Sequence, residues 1–403
     1  MSWDADVTVV GAGAAGLSLA VELAAPRAGG GPAPRVLVVE APPGPLRSPS
    51  RTWCYWEAGA GPYDGLLAAS WDRLRVHGPD GAVIERPLGP LRYKMLRSDR
   101  FEAAMAERLA GYGVEVRRTA VESVHDAGGA ALVRGRDASG APSVLRSGLV
   151  FDSRPPRLLP AARTTLLQHF TGWFVRTPAP AFDPGAATLM DFRVPQPSRG
   201  LAFGYVLPLS RYEALVEYTE FSPAVLDDAA YERALRDYCA TALGLGDYTV
   251  GEREQGVIPM SDGRFPRRAG RRVFLIGTAG GATRPSTGYT FAAIQRQSRQ
   301  LAGAVRAGRS PARVPAVHGR RARAMDAVLL RALDTGRVAG GPFFAHLFSS
   351  VPAERVLRFL DGATSPFEDL GIGLRTPVVP MLRSLLELPL LPRTVPAAVP
   401  GRR

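Results

Sequence analysis

Three residue types are nearly missing from this chain of 403 residues, which has 2 cysteines, 5 histidines and a single lysine, Lys94. Cys54 and Cys239 stand far apart, which excludes a disulfide scaffold and a multi-cysteine zinc site and suits a reducing, cytoplasmic setting. His77, His125, His169, His318 and His346 are too dispersed to form a metal set, so no metal is expected. No nucleophile triad is visible. No run reaches about 18 uninterrupted apolar residues, and the opening Met-Ser-Trp-Asp-Ala-Asp carries acids where a secretory leader needs bases. The expectation is a chain that neither crosses a membrane nor is exported.

Positive charge is plentiful: 50 Lys+Arg against 37 Asp+Glu give a formal net charge of +13. The arginines follow no recognition-motif pattern, so nucleic acid is not an expected partner. Their abundance reads first as the mark of a GC-rich genome, with attraction to an anionic membrane surface as the other reading. With 46% hydrophobic and 22% charged residues, the composition is that of a globular protein long enough for two or three lobes. The 44 glycines and 36 prolines have no three-residue period, which excludes collagen.

Asp6-Val-Thr-Val-Val10 reads as a strand leading into Gly11-Ala-Gly-Ala-Ala-Gly16, with a helix over Leu17–Ala25. After a Gly/Pro loop at Ala28–Pro34, a second strand Val36–Val39 ends in Glu40. This is the order of a dinucleotide-binding βαβ unit. Gly11 permits the tight turn, Gly13 lets backbone N–H groups approach a pyrophosphate, and Gly16 lets helix and strand pack closely. Ala14 and Ala15 open the helix toward the phosphates, and Glu40 is placed to accept from a ribose.

Further along, the sequence predicts a helix at Asp99–Leu109, a strand at Val114–Val116, short strands from about 164 to 220 and a helix at Asp227–Leu243. A strand at Arg272–Ile276 enters a second glycine-rich turn, Gly277-Thr-Ala-Gly-Gly281, followed by Pro285-Ser-Thr-Gly288 and a helix from Tyr289 to about Ala307. Its helix N-terminus would approach the same cofactor. Residues 308–323 read as a linker or a solvated basic face. Phe343–Phe348 and Met381–Leu388 read as short amphipathic helices, either a cap on the core or a lipid-touching surface.

Together, Arg51-Thr-Trp-Cys-Tyr-Trp-Glu57, Val150-Phe-Asp-Ser-Arg-Pro155, Gln168–Val175, Met190-Asp-Phe192, Tyr205-Val-Leu-Pro-Leu209, Leu215-Val-Glu-Tyr-Thr219, Ile258-Pro-Met260, Gly277–Gly281 and Pro285–Thr290 resemble the bacterial FAD-dependent lycopene β-cyclase family. The resemblance spans most of the chain. It implies an α/β flavoprotein of aromatic-hydroxylase-like architecture, with a Rossmann-like FAD lobe (1–49, 94–160 and 255–307), a β-sheet substrate lobe (50–93 and 161–254) and a C-terminal helical region (308–403). It also implies reduced, noncovalent FAD with NAD(P)H as reductant, lycopene or a related acyclic carotenoid as substrate, peripheral attachment to membrane, and other carotenoid-pathway enzymes as partners. Gly277-Thr278 stands where many relatives in the wider superfamily have Gly-Asp. Leu215-Val-Glu-Tyr-Thr219 keeps only the first acid of the Phe-Leu-Glu-Glu-Thr segment of plant-type cyclases.

Such a reaction protonates a terminal alkene, lets the neighbouring double bond attack the cation, and removes a proton from the new ring. A carboxyl group in a dry apolar pocket stays protonated near neutral pH. Glu217 is the expected acid, although its alternating apolar segment is equally that of an exposed-face glutamate. Trp173, Phe203, Tyr205 and Tyr218 are expected to present aromatic faces to a cation; as residues alone they also read as core. Arg97 is expected at a phosphate and Asp152, with Arg154, along the flavin cleft. Gly277, Thr278, Gly288 and Tyr289 belong to the second cofactor turn, and His169 is a candidate base. The rival readings are a flavin monooxygenase or prenyl reductase, and a carotenoid- or flavin-binding protein without turnover.

Overall fold

The computed structural model describes residues 3–26, 33–156 and 158–396, so most of the expected loop at 28–34 lies outside the described residues. The β-branched run near the start forms the strand Ala5–Val10, which passes through the glycine turn into the helix Ala14–Ala24. Val7, Val9 and Val10 are all buried, as in a parallel strand covered on both faces. Val36–Glu40 pairs parallel on one side of it, and the C-terminal half of Pro142–Asp152 on the other. Glu115–Ala127 and Val273–Leu275 extend this parallel array, and Ala130–Asp137 joins it antiparallel, giving a six-stranded sheet. Both glycine turns therefore leave the carboxyl ends of parallel strands, Ala5–Val10 and Val273–Leu275, on either side of Pro142–Asp152, where open α/β sheets bind ligands.

A seven-stranded sheet forms the second lobe, in the order Thr249–Ser261, Thr165–Arg176, Glu213–Ser222, Leu201–Pro208, Ala187–Asp191, Arg73–His77, Val83–Pro87. A three-stranded sheet, Thr52–Ala58, Leu91–Arg97 and Leu67–Trp71, ties the lobes together. Trp53 stacks on Phe291 of the helix Phe291–Arg306 with centroids 5.4 Å apart, while Trp56 and Tyr93 enter the core of the seven-stranded sheet. The expected lobe limits at 94 and 255 both fall inside unbroken strands, Leu91–Arg97 and Thr249–Ser261. The latter is bonded to Thr165–Arg176 from Thr249 to Ser261, so its ladder keeps the chain in the second lobe until that point.

The basic segment expected as a linker or solvated face holds the short turn Pro311–Arg313 and runs from Arg320 into the helix Arg320–Asp334. Four more helices follow: Gly340–Ser350, Ala353–Leu360, Pro366–Gly373 and Val378–Glu387. Phe343, Phe344, Leu347 and Phe348 are buried in the same core as the seven-stranded sheet, so the first of these helices caps that sheet. Among the described residues no helix is long and apolar enough to cross a membrane.

Candidate active site

A cavity of about 910 Å³ runs from the first glycine turn to one face of the seven-stranded sheet. At the glycine end, Gly11 has φ +94°, and a Cβ at Gly16 would lie 1.8 Å from the Gly11 carbonyl oxygen, so only glycine lets the helix close onto the turn. A Cβ at Gly13 would meet nothing within 4 Å and would instead occupy the cavity. The first N–H groups of the helix Ala14–Ala24 have no partner one turn earlier, and Ala14 and Ala15 line the cavity. Arg47, Arg51 and Arg154 bring positive charge to this end. Glu40 also lines it, with its carboxylate paired to Arg47 and Arg118. These features fit a dinucleotide: a glycine cradle, helix-terminal N–H groups and flanking guanidinium groups around open space.

The second turn meets the same cavity through Gly277, Thr278, Ser286, Thr287, Gly288 and Tyr289. Gly277 and Gly288 have φ of +62° and +71°. This loop is held from behind by the C-terminal region. Asp326, in the helix Arg320–Asp334, accepts from Arg284 Nε at 2.9 Å and Ser286 Oγ at 2.7 Å. His318 Nε2 donates to the Ala282 carbonyl at 2.9 Å.

The far end is apolar. Strand alternation aims Phe203 and Tyr205, then Glu217, Thr219 and Phe221, into the cavity, and Phe344 and Phe348 close it from the capping helix. Tyr93 Oη lies 2.6 Å from Tyr205 Oη and 2.7 Å from Tyr289 Oη, so three buried hydroxyls share two contacts. Burial pushes all three phenols above their ordinary range and pushes the Cys54 thiol up to about 12, so these groups stay neutral. Glu217, 8% exposed, is held well above the usual carboxyl range, first by burial and then by the charge of neighbouring Glu254. A neutral carboxyl group thus faces an aromatic, water-poor chamber at one end of a cavity whose other end is a nucleotide cradle.

The family model described as lycopene cyclase protein matches residues 6–386. The chain belongs to this family. No curated protein sequence matches it significantly. Similar solved structures include a geranylgeranyl bacteriochlorophyll reductase-like protein from Thermoplasma acidophilum, with TM-score 0.63 and 14% identity, covering 95% of this chain and 99% of that one. Another is p-nitrophenol 4-monooxygenase from Pseudomonas putida DLL-E4, with TM-score 0.61 and 20% identity, covering 95% and 96%. A third is aklavinone-11 hydroxylase in complex with FAD and aklavinone, with TM-score 0.57 and 21% identity, covering 76% and 63%. At such identities the likeness is one of fold, and it is the expected α/β, aromatic-hydroxylase-like architecture.

Within this lycopene cyclase family member, the cavity gathers Gly11, Gly13, Ala14, Ala15, Glu40, Phe203, Tyr205, Glu217, Gly277, Thr278, Gly288 and Tyr289. Other expected residues lie elsewhere. Trp173 and Tyr218 face away from it, because Tyr218 follows Glu217 in an extended strand and Trp173 follows Gly172, the residue opposite Glu217. Both pack under the helix Asp228–Asp237, where Arg253 lies 5.3 Å over the Trp173 ring. Arg97 is not at the glycine end; it pairs with Glu252 at 2.6 Å and Glu254 at 3.2 Å. Asp152 does not line the cavity, since its carboxylate is turned onto the Arg154 guanidinium at 2.8 Å. Gly16 packs beneath Gly11 rather than lining the cavity. His169 is sealed on the back of the sheet between Tyr231 and Ser222, and burial lowers it to about 4.

Sequence reasoning passed over Glu254, Tyr93 and the Arg284–Asp326 pair. Only Glu254 left a signal: an acid two residues before a glycine and four before the apolar Ile258, on one face of a strand that alternates.

Proposed function

We propose that this family member binds FAD along the cavity and cyclises the acyclic ends of lycopene to β-rings, through γ-carotene to β-carotene, by acid–base isomerisation. The observation that carries the reading is Glu217, a neutral carboxyl group in an aromatic chamber continuous with the glycine cradle. Glu217 protonates the terminal alkene, the next double bond closes on the tertiary cation, and a ring proton leaves. One proton enters, one departs, and no electrons are lost. Phe203, Phe221 and the Tyr205 ring face the cation and exclude the water that would trap it. FAD, reduced by NAD(P)H, supplies an electron-rich ring beside this chemistry.

Incubation of the protein with lycopene in lipid, FAD and a reductant is expected to give products of unchanged mass with one or two rings. Products gaining two hydrogens would make it a reductase, an added oxygen would make it a monooxygenase, and no product would leave a binding protein.

The substrate is lipid-soluble, and the helices Pro366–Gly373 and Val378–Glu387, with Leu374 just after the first, expose Phe367, Leu370, Leu374, Val379 and Leu386 beside Arg375 and Arg383. We assign this face to the surface of an anionic membrane. Phe367→Ser with Leu386→Ser should weaken co-sedimentation with anionic vesicles; unchanged binding would remove the face from that role.

A further inference from the structure

Glu217 and Glu254 stand on strands that are not neighbours. Thr165–Arg176 runs between them, and its Gly172 is the register partner of both. A Cβ at Gly172 would lie 2.8 Å from Glu217 Cγ and 3.3 Å from its Oε1. Because the residue is glycine, no side chain stands between the two acids, which are neighbours across the intervening strand.

The two surroundings differ. The Glu254 side chain is 4% exposed, and its Oε2 accepts from Thr52 Oγ1 at 2.8 Å and Arg97 Nη1 at 3.2 Å. Arg97 is itself fixed by Glu252 at 2.6 Å and lies 4.6 Å over the Phe174 ring. Glu254 does not reach the cavity, whereas Glu217 lines it. The other titratable groups around the pair are Tyr205, Tyr93, Tyr289 and Cys54, all neutral through burial. Two neighbouring buried carboxyl groups cannot both be charged at low energy. The guanidinium contact fixes the negative charge on Glu254 and leaves the proton on Glu217.

We propose that Glu254 is a positioning residue: anchored by Arg97 and Thr52 and set beside Glu217 over Gly172, it keeps Glu217 loaded with a proton and orients its carboxyl group toward the cavity. This rests on the reading of Glu217 as the acid. When the proton passes from Glu217 oxygen to an alkene carbon, two adjacent carboxylates remain, and their repulsion drives Glu217 to take a proton back. The pair ends each turnover as it began, with one proton and one charge.

The test needs no substrate. Infrared titration of the FAD-loaded protein should show a carboxylic-acid carbonyl band at neutral pH that Glu217→Gln removes. In Glu254→Gln that band should vanish at lower pH than in the wild type. Gly172→Ala, which keeps both acids and wedges a methyl group between them, should move it the same way. In cyclisation assays, Glu254→Gln should be near wild type at pH 6 and about tenfold slower at pH 8, one unit of titration being tenfold in protonated fraction. A band that titrates identically in both variants would overturn the proposal even if the protein cyclises lycopene. A band that shifts as expected in a protein without cyclase activity would uphold the pair and overturn the function.

Discussion

Glu217 and Glu220 lie on one strand, are 8% and 6% exposed, and are both held above the usual carboxyl range by burial. They point to opposite faces of the seven-stranded sheet. Glu220 accepts from the Tyr218 hydroxyl at 2.9 Å, in a closed layer of Trp173, Tyr231 and Tyr238 beneath a helix. Glu217 neighbours another acid across one strand and opens onto a cavity. Burial and perturbed acidity are common to both, so neither marks a catalytic group by itself. What differs is open volume in front of the proton and the absence of a hydroxyl to satisfy it.

The largest effect that would sharpen this contrast is the loss of activity in Glu217→Gln, about 10²–10⁴-fold, with fold and FAD binding kept. Near-normal turnover would erase the distinction between the two faces. The same variant has a stability signature. Because the folded-state pKa of Glu217 is raised, its favourable contribution is complete below the ordinary carboxyl value of 4.5 and is lost as pH rises through the raised value. The melting temperature of Glu217→Gln relative to the wild type should therefore climb from pH 5 to pH 8.

The next effect belongs to the closed face. Trp173→Ala should cost about 3–5 kcal/mol of stability and leave the carbonyl titration of Glu217 unmoved in the folded protein. A shift of that titration would show that the two faces are coupled through the sheet.

Much of the nucleotide end was legible because it is local: strand, glycine turn, helix and terminal acid follow one another within 40 residues. The second turn was legible for the same reason. Glu217 was found through the resemblance, yet Tyr218 was grouped with it although consecutive strand residues must part to opposite faces. The resemblance points Arg97 to a phosphate, whereas its partners come from a strand more than 150 residues away, and no local pattern announces that ladder. The helix Arg320–Asp334 begins inside the basic segment 308–323, where the exposed Arg320, Arg321 and Arg323 mask its first turn, and its buried Asp326 and Leu330 lie beyond that segment. Pairings between distant strands placed the acid, its partner and the glycine between them.

The most direct test is cyclisation in D₂O. The reading predicts one solvent deuterium retained on carbon for every ring formed, none delivered from labelled NAD(P)H, and no ring from Glu217→Gln. Deuteride from the nicotinamide on carbon, or rings formed without solvent deuterium, would contradict the assignment of Glu217 as the proton donor.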